Sequence, residues 1–129
     1  MCHLKISVLL FGADVKSASK HAASVSNVSK VLVVEGSDCA HLPAEDISNL
    51  LVQLSKSFTH VLAPSSNNGK NFLPRTAALL DSSPLSDVIS VESPEIFKRP
   101  MYAGNAIATV QMNNPIKVAL LYLGFPKNC

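Results

Sequence analysis

The chain has 129 residues, is 47% hydrophobic and only 16% charged, and carries a formal net charge of +2. That length is one domain's worth, and the mean hydropathy of +0.26 excludes a disordered chain, which would be poor in apolar residues. The charge is too small and too scattered for a nucleic-acid surface, and no apolar run approaches the roughly 20 residues of a membrane helix. The three cysteines, Cys2, Cys39 and Cys129, have no disulfide-framework or metal-ligand spacing, which favours reduced thiols in an intracellular compartment.

In chain order, KISVLLFG (residues 5–12) is a continuous apolar run ending in Gly12, as in a parallel strand buried on both faces. The rival reading is a short secretory signal, but the apolar core is brief and Ser7 interrupts it. The Ser- and Lys-rich stretch that follows has transit-peptide character but lacks arginine. Asp14 can cap a helix whose inner face holds Val15, Ala18, Ala22 and Val25. VLVVE (31–35) is a second strand. A loop, GSDCAHLP, leads to a helix with Pro43 near its first position. Glu45 and Asp46 lie in its first turn, and Ile47, Leu50, Leu51, Leu54 and Phe58 form its stripe.

THVLAP (59–64) is a third strand ended by Pro64. The polar loop SSNNGKN precedes a third helix, FLPRTAALLDSS, with Pro74 in its first turn and Leu73, Ala77 and Leu80 facing inward. Three strand–helix repeats predict an α/β fold with a Rossmann-like, mainly parallel sheet and flanking helices. After Asp81 the rhythm changes. DVISVE, EIFKRPMYAGNAIATVQ and IKVALLYL predict strands joined by short loops, an antiparallel C-terminal extension of that sheet. No acidic residue follows Glu95, and the basic tail reads as a solvated face.

Two strings stand out chemically. Ser65, Ser66, Asn67, Asn68, Gly69 and Lys70 occupy the strand-to-helix position where α/β folds bind ligands. They do not form a P-loop: Pro64 stands where its first glycine belongs, and Asn71 where Ser or Thr would hold magnesium. A capping and packing loop is favoured over a nucleotide site. Tyr102-Ala103-Gly104-Asn105-Ala106 reads equally as a tight bend or as a contact with another domain or subunit. His3, His21, His41 and His60 lie in different elements and predict no metal site. Cys39 lies near His41, but nothing orients the pair, and no GxSxG occurs. The sequence therefore predicts no catalysis by this chain alone.

GKNFLPRTAALLD (69–81), PLSDVISVES (84–93) and RPMYAGNAIATV (99–110) occur in the order and spacing of one family. Over residues 5–123 the chain resembles the N-terminal domain of the α subunit of electron transfer flavoprotein. The resemblance implies a heterodimer with a β subunit and an FAD electron carrier of the mitochondrial matrix or bacterial cytoplasm. That carrier takes electrons from acyl-CoA and related flavin dehydrogenases and passes them to a membrane-bound ubiquinone oxidoreductase. The resemblance also implies that FAD belongs to a C-terminal domain outside residues 1–129, so no flavin-binding residue is expected here. It places Met1 just before the family's second strand and ends the chain short of an Arg-containing segment, so an incomplete domain is expected. The nominated subunit or domain contacts are Ser65, Ser66, Asn68, Gly69, Lys70, Arg75, Arg99, Tyr102, Gly104 and Asn105. No nucleic-acid partner and no membrane insertion are expected. The alternative function is a free-standing adenine-nucleotide-binding α/β module.

Overall fold

A computed structural model describes residues 5–36 and 41–124. The readings placed on Cys2, His3, Cys39 and Cys129 lie outside the described residues. The chain divides into two compact units, Met1–Leu42 and Pro43–Cys129.

In the first unit, β1 (Ile6–Gly12) and β2 (Val28–Glu35) pair in parallel, from Ser7 opposite Lys30 to Gly12 opposite Glu35. Helix α1 (Lys16–Ser24) connects them. Its N-cap is Val15, with no side-chain cap bond, so Asp14 does not take the capping role expected of it. Val15 is buried, but no residue within α1 is, so the inner face expected from Ala18 and Ala22 stays shallow.

The second unit holds the core. Helix α2 (Ala44–Ser55) starts from Pro43 as N-cap, with Glu45 and Asp46 in the first turn. Strand β3 (His60–Pro64) leads to helix α3 (Asn67–Leu79). Strand β4 (Pro84–Val88) follows, then β5 (Ser90–Val91), β6 (Ile96–Met101), β7 (Ala106–Gln111) and β8 (Lys117–Leu121). Strands β5, β6 and β7 form an antiparallel sheet, as expected of the last third.

The last strand departs from expectation. Rather than extending the antiparallel sheet, β8 returns between β3 and β4 and pairs in parallel with both. Its sequence explains the placement. Val118, Ala119 and Leu120 are consecutive and all buried, a run apolar on both faces that suits a central parallel strand. The parallel pairing also falls into two sheets, β1–β2 and β3–β8–β4, rather than one continuous sheet.

Successive β8 side chains serve opposite faces. Ala119 joins Leu85, Val88, Phe97 and Met112 in a cluster, with Leu121 and Val110 packed against it. Leu120 reaches toward the first turn of α3. On α3, Phe72, Leu73, Thr76 and Ala77 are buried, and α2 packs against this helix. Ser48 fits the close approach of the two helices: fully buried, its hydroxyl donates to the carbonyls of Ala44 at 2.7 Å and Phe72 at 3.1 Å.

Helix α3 begins six residues before the Leu73 at which its apolar face was expected to start, so residues 67–70 are its first turn and not loop. Pro74 consequently lies inside the helix, where it removes the bond to the carbonyl of residue 70. Packing of the flanking Leu73 and Ala77, both fully buried, holds the helix through that position.

Candidate functional site

The strands β3, β8 and β4 run parallel and therefore end at one edge. Past that edge the chain ties itself together. The Ser65 amide donates to the Leu121 carbonyl at 2.7 Å, and the Tyr122 amide to the Val88 carbonyl at 2.9 Å. Carboxyl ends of parallel strands are where open α/β sheets place ligands.

Ser66 caps α3, its hydroxyl accepting from the Gly69 amide at 3.2 Å. Gly69 is required by packing. A Cβ there would lie 2.1 Å from the Pro64 carbonyl oxygen and 3.2 Å from a Leu120 methyl. The missing side chain lets the helix start directly over the strand end.

Asp87 sits where the β4–β8 register shifts, with a left-handed φ of 56°. Irregular strand positions re-aim side chains, and here the carboxylate turns back over the sheet edge. Its Oδ1 accepts from the Ser65 hydroxyl at 2.7 Å and faces the Lys70 ammonium at 3.7 Å.

Beyond Asp87 lies an open groove of about 710 Å³. Its floor follows from strand alternation. Phe97, Arg99 and Met101 share one face of β6. Phe97 is 1% exposed in the core cluster, Arg99 is half-buried, and Met101 is 41% exposed. The inward face of β6 thus runs out of the core into the groove. Its far wall is the four-residue turn between Met101 and Ala106, in which Tyr102, Ala103 and Gly104 all have positive φ (52°, 55° and 88°). The Gly104 amide donates to Met101 and the Asn105 amide to Tyr102. Ile107 and Tyr122 complete the lining.

Of the nominated residues, Ser65 and Lys70 therefore meet at Asp87, while Arg99, Tyr102 and Gly104 line the groove beside that same carboxylate. Ser66 and Gly69 build the helix start, Asn68 is an exposed first-turn residue, and Asn105 closes the turn. Arg75 is separate: it pairs with Glu45 of α2 at 3.3 Å. Asp87 and Tyr122 were missed. Asp is depleted in strands, so its place inside an apolar run was the available signal.

The donor set does not suit a nucleotide or dinucleotide diphosphate. The cap of α3 is taken by Ser66, and its nearest cation, Lys70, already faces a carboxylate that would repel phosphate. Among the described residues no group of three or more His, Cys, Asp or Glu could hold a metal.

Residues 3–124 match the family model described as electron transfer flavoprotein domain. The chain belongs to the electron transfer flavoprotein domain family. Among its relatives, electron transfer flavoprotein subunit alpha of Pseudomonas aeruginosa is 51% identical over 113 residues, 88% of this chain and 37% of that protein. The mitochondrial electron transfer flavoprotein subunit alpha of Dictyostelium discoideum is 42% identical over 120 residues, 88% of this chain and 34% of that protein. The corresponding protein of Paracoccus denitrificans is 42% identical over 113 residues, again 88% of this chain and 37% of the relative. The chain thus spans about a third of the length of the curated relatives it matches. Membership of that family agrees with the resemblance drawn from the order and spacing of the three motifs. No helix among the described residues is long and apolar enough to cross a membrane.

Proposed function

We propose that this chain is the N-terminal, non-flavin portion of an electron transfer flavoprotein α subunit, acting as scaffold and as a docking surface for the β subunit. The observation that carries this reading is the family match across residues 3–124. The groove supports it, because Met101, Tyr102, Ile107 and Tyr122 are large, apolar and exposed together. In this reading FAD is held by a domain outside these 129 residues. The assembled carrier accepts electrons from acyl-CoA and other flavin dehydrogenases and delivers them to a ubiquinone oxidoreductase. It works in the mitochondrial matrix of a eukaryote or the cytoplasm of a bacterium.

The test is co-expression with the β subunit of the same source, followed by affinity purification through a tag on the β subunit. Stoichiometric co-purification is expected. Failure to co-purify, both for this chain and for a version extended to the length of its relatives, overturns the reading. Calorimetric titration with AMP separates it from a free-standing nucleotide module. No heat of binding is expected, because Asp87 occupies the crevice.

A further inference from the structure

We propose that Asn68 is a site of spontaneous backbone modification, and that the first turn of α3 keeps it closed. The Gly69 amide nitrogen is the nucleophile and the side-chain carbonyl carbon of Asn68 its target, so the step needs no partner and no cofactor.

The sequence supplies the reactive pair. Of the asparagines in the chain, Asn68 alone precedes a glycine. A glycine has no Cβ to hinder approach to its amide nitrogen, and it reaches backbone conformations closed to other residues. Elsewhere the following residue obstructs the attack. Asn27 precedes the β-branched Val28, and Asn114 precedes Pro115, whose nitrogen carries no proton. The chemistry balances with water as its only co-reactant. The Gly69 nitrogen gives up its proton and bonds to Asn68 Cγ, the Cγ–Nδ2 bond breaks, and ammonia leaves with that proton. Water then opens the cyclic imide at either carbonyl. One product is aspartate at position 68. The other is isoaspartate, whose main chain runs through the side-chain carbons and is one carbon longer.

The fold opposes the first step. Asn68 is exposed, so water reaches it and ammonia can leave, but Gly69 is buried. The Gly69 amide donates to the Ser66 hydroxyl at 3.2 Å, and the next amide, of Lys70, donates to the Ser66 carbonyl at 2.8 Å. Both bonds hold the backbone around Asn68 in helical torsions, so the Gly69 nitrogen is not free to swing toward Cγ. Reaction waits for a local opening of that turn.

The two products then differ in what they do to the sheet edge. A Cβ on Gly69 would already lie 2.1 Å from the Pro64 carbonyl oxygen, so the backbone has no slack there. The extra main-chain carbon of isoaspartate displaces the start of α3 from the end of β3. With it goes Lys70, which faces Asp87 at 3.7 Å. Aspartate is tolerated instead, because a carboxylate in the first turn suits the helix dipole. Isoaspartate at position 68 thus makes one opening of α3 permanent.

The experiment incubates the full chain in mildly alkaline buffer, folded and in guanidinium chloride, and follows conversion of Asn68 by peptide mass spectrometry with chromatographic separation of the two products. Conversion is expected to be at least about tenfold slower in the folded chain than in the denatured one. Ser66→Ala, which removes the cap, should convert about fivefold faster than the folded wild type, whereas Ser66→Asp, which keeps a capping oxygen, should match it. Circular dichroism shows which variants are folded, and the comparison of folded with denatured wild type stands whether or not Ser66→Ala folds. The isoaspartate chain should unfold at lower urea than Asn68→Asp. An Asn68 that does not convert even when denatured sinks the proposal, as does equal conversion in the folded and denatured chains. A folded Ser66→Ala with the wild-type rate, or an isoaspartate chain as stable as Asn68→Asp, overturns it too.

Discussion

Gly69 and Asp81 show two single residues at opposite ends of α3 pulling stability in opposite directions. Alanine is favoured over glycine by about 1 kcal/mol in a helix interior, so propensity alone would make Gly69→Ala stabilising. The geometry reverses the sign. A Cβ 2.1 Å from a backbone oxygen cannot be relieved by a side-chain rotation, and overpacking of this kind costs about 1–3 kcal/mol or more. Gly69→Ala should lower the midpoint of urea unfolding. Asp81 is the converse. It terminates α3 with φ 51°, its amide donating to Ala78 while the Ser82 amide donates to Ala77. That is the six-to-one and five-to-two pattern in which glycine is preferred. Asp81 is exposed, so Asp81→Gly removes backbone strain without losing a buried contact and should stabilise by about 1 kcal/mol in the same measurement.

At the scale of elements, the α2–α3 pair depends on a small polar residue where the helical stripe would suggest only apolar contacts. Ser48 adjoins Ile47 in the stripe and is the more deeply buried of the two. Its bond to the Phe72 carbonyl joins the two helices through residues 24 positions apart in sequence. Ser48→Ala should cost about 1 kcal/mol by losing that bond, whereas Ser48→Val should cost more, because branching at Cβ wedges the helices apart. Thermal melts of the two variants order them. Elements with a repeated apolar period were legible in the sequence: the three strand–helix alternations and the antiparallel β5–β7 run lie close to where periodicity puts them. The start of α3 was not, because Asn, Asn and Gly have poor intrinsic helix propensity. Only the close packing of Gly69 under Pro64 and the Ser66 cap commits them to a helical turn. The destination of β8 was also hidden, since neighbour order in a sheet is set by long-range pairing that no local pattern encodes. In the candidate site, the structure brings residues of the 65–70 and 99–105 strings together at one sheet edge, but the carboxylate that links them, Asp87, follows from a register shift and a left-handed φ that the sequence does not announce.

Across the whole molecule, burial is uneven between the two units. The fully buried side chains Leu73, Ala77, Val118 and Ala119 all belong to the second unit. In the first, two paired strands and one helix bury Val15 alone among the described hydrophobic residues, while Ile6 is 46% and Val33 44% exposed. A two-stranded sheet with so little covered apolar surface is marginal in water. Native-state hydrogen exchange of the isolated chain should therefore resolve two levels. Amides of β8 and its neighbours β3 and β4 should exchange slowest, near the global unfolding rate. Those of β1 and β2 should exchange at least about tenfold faster, through a local opening that does not involve the second unit. The same exposure predicts poor solubility and a broad thermal transition for the chain by itself. A single sharp transition, with equal protection in β2 and β8, would show instead that the two units fold as one cooperative body. Protection that rises in the second unit on adding the β subunit, first at Met101 to Ile107, would tie the docking groove to this hierarchy of stability.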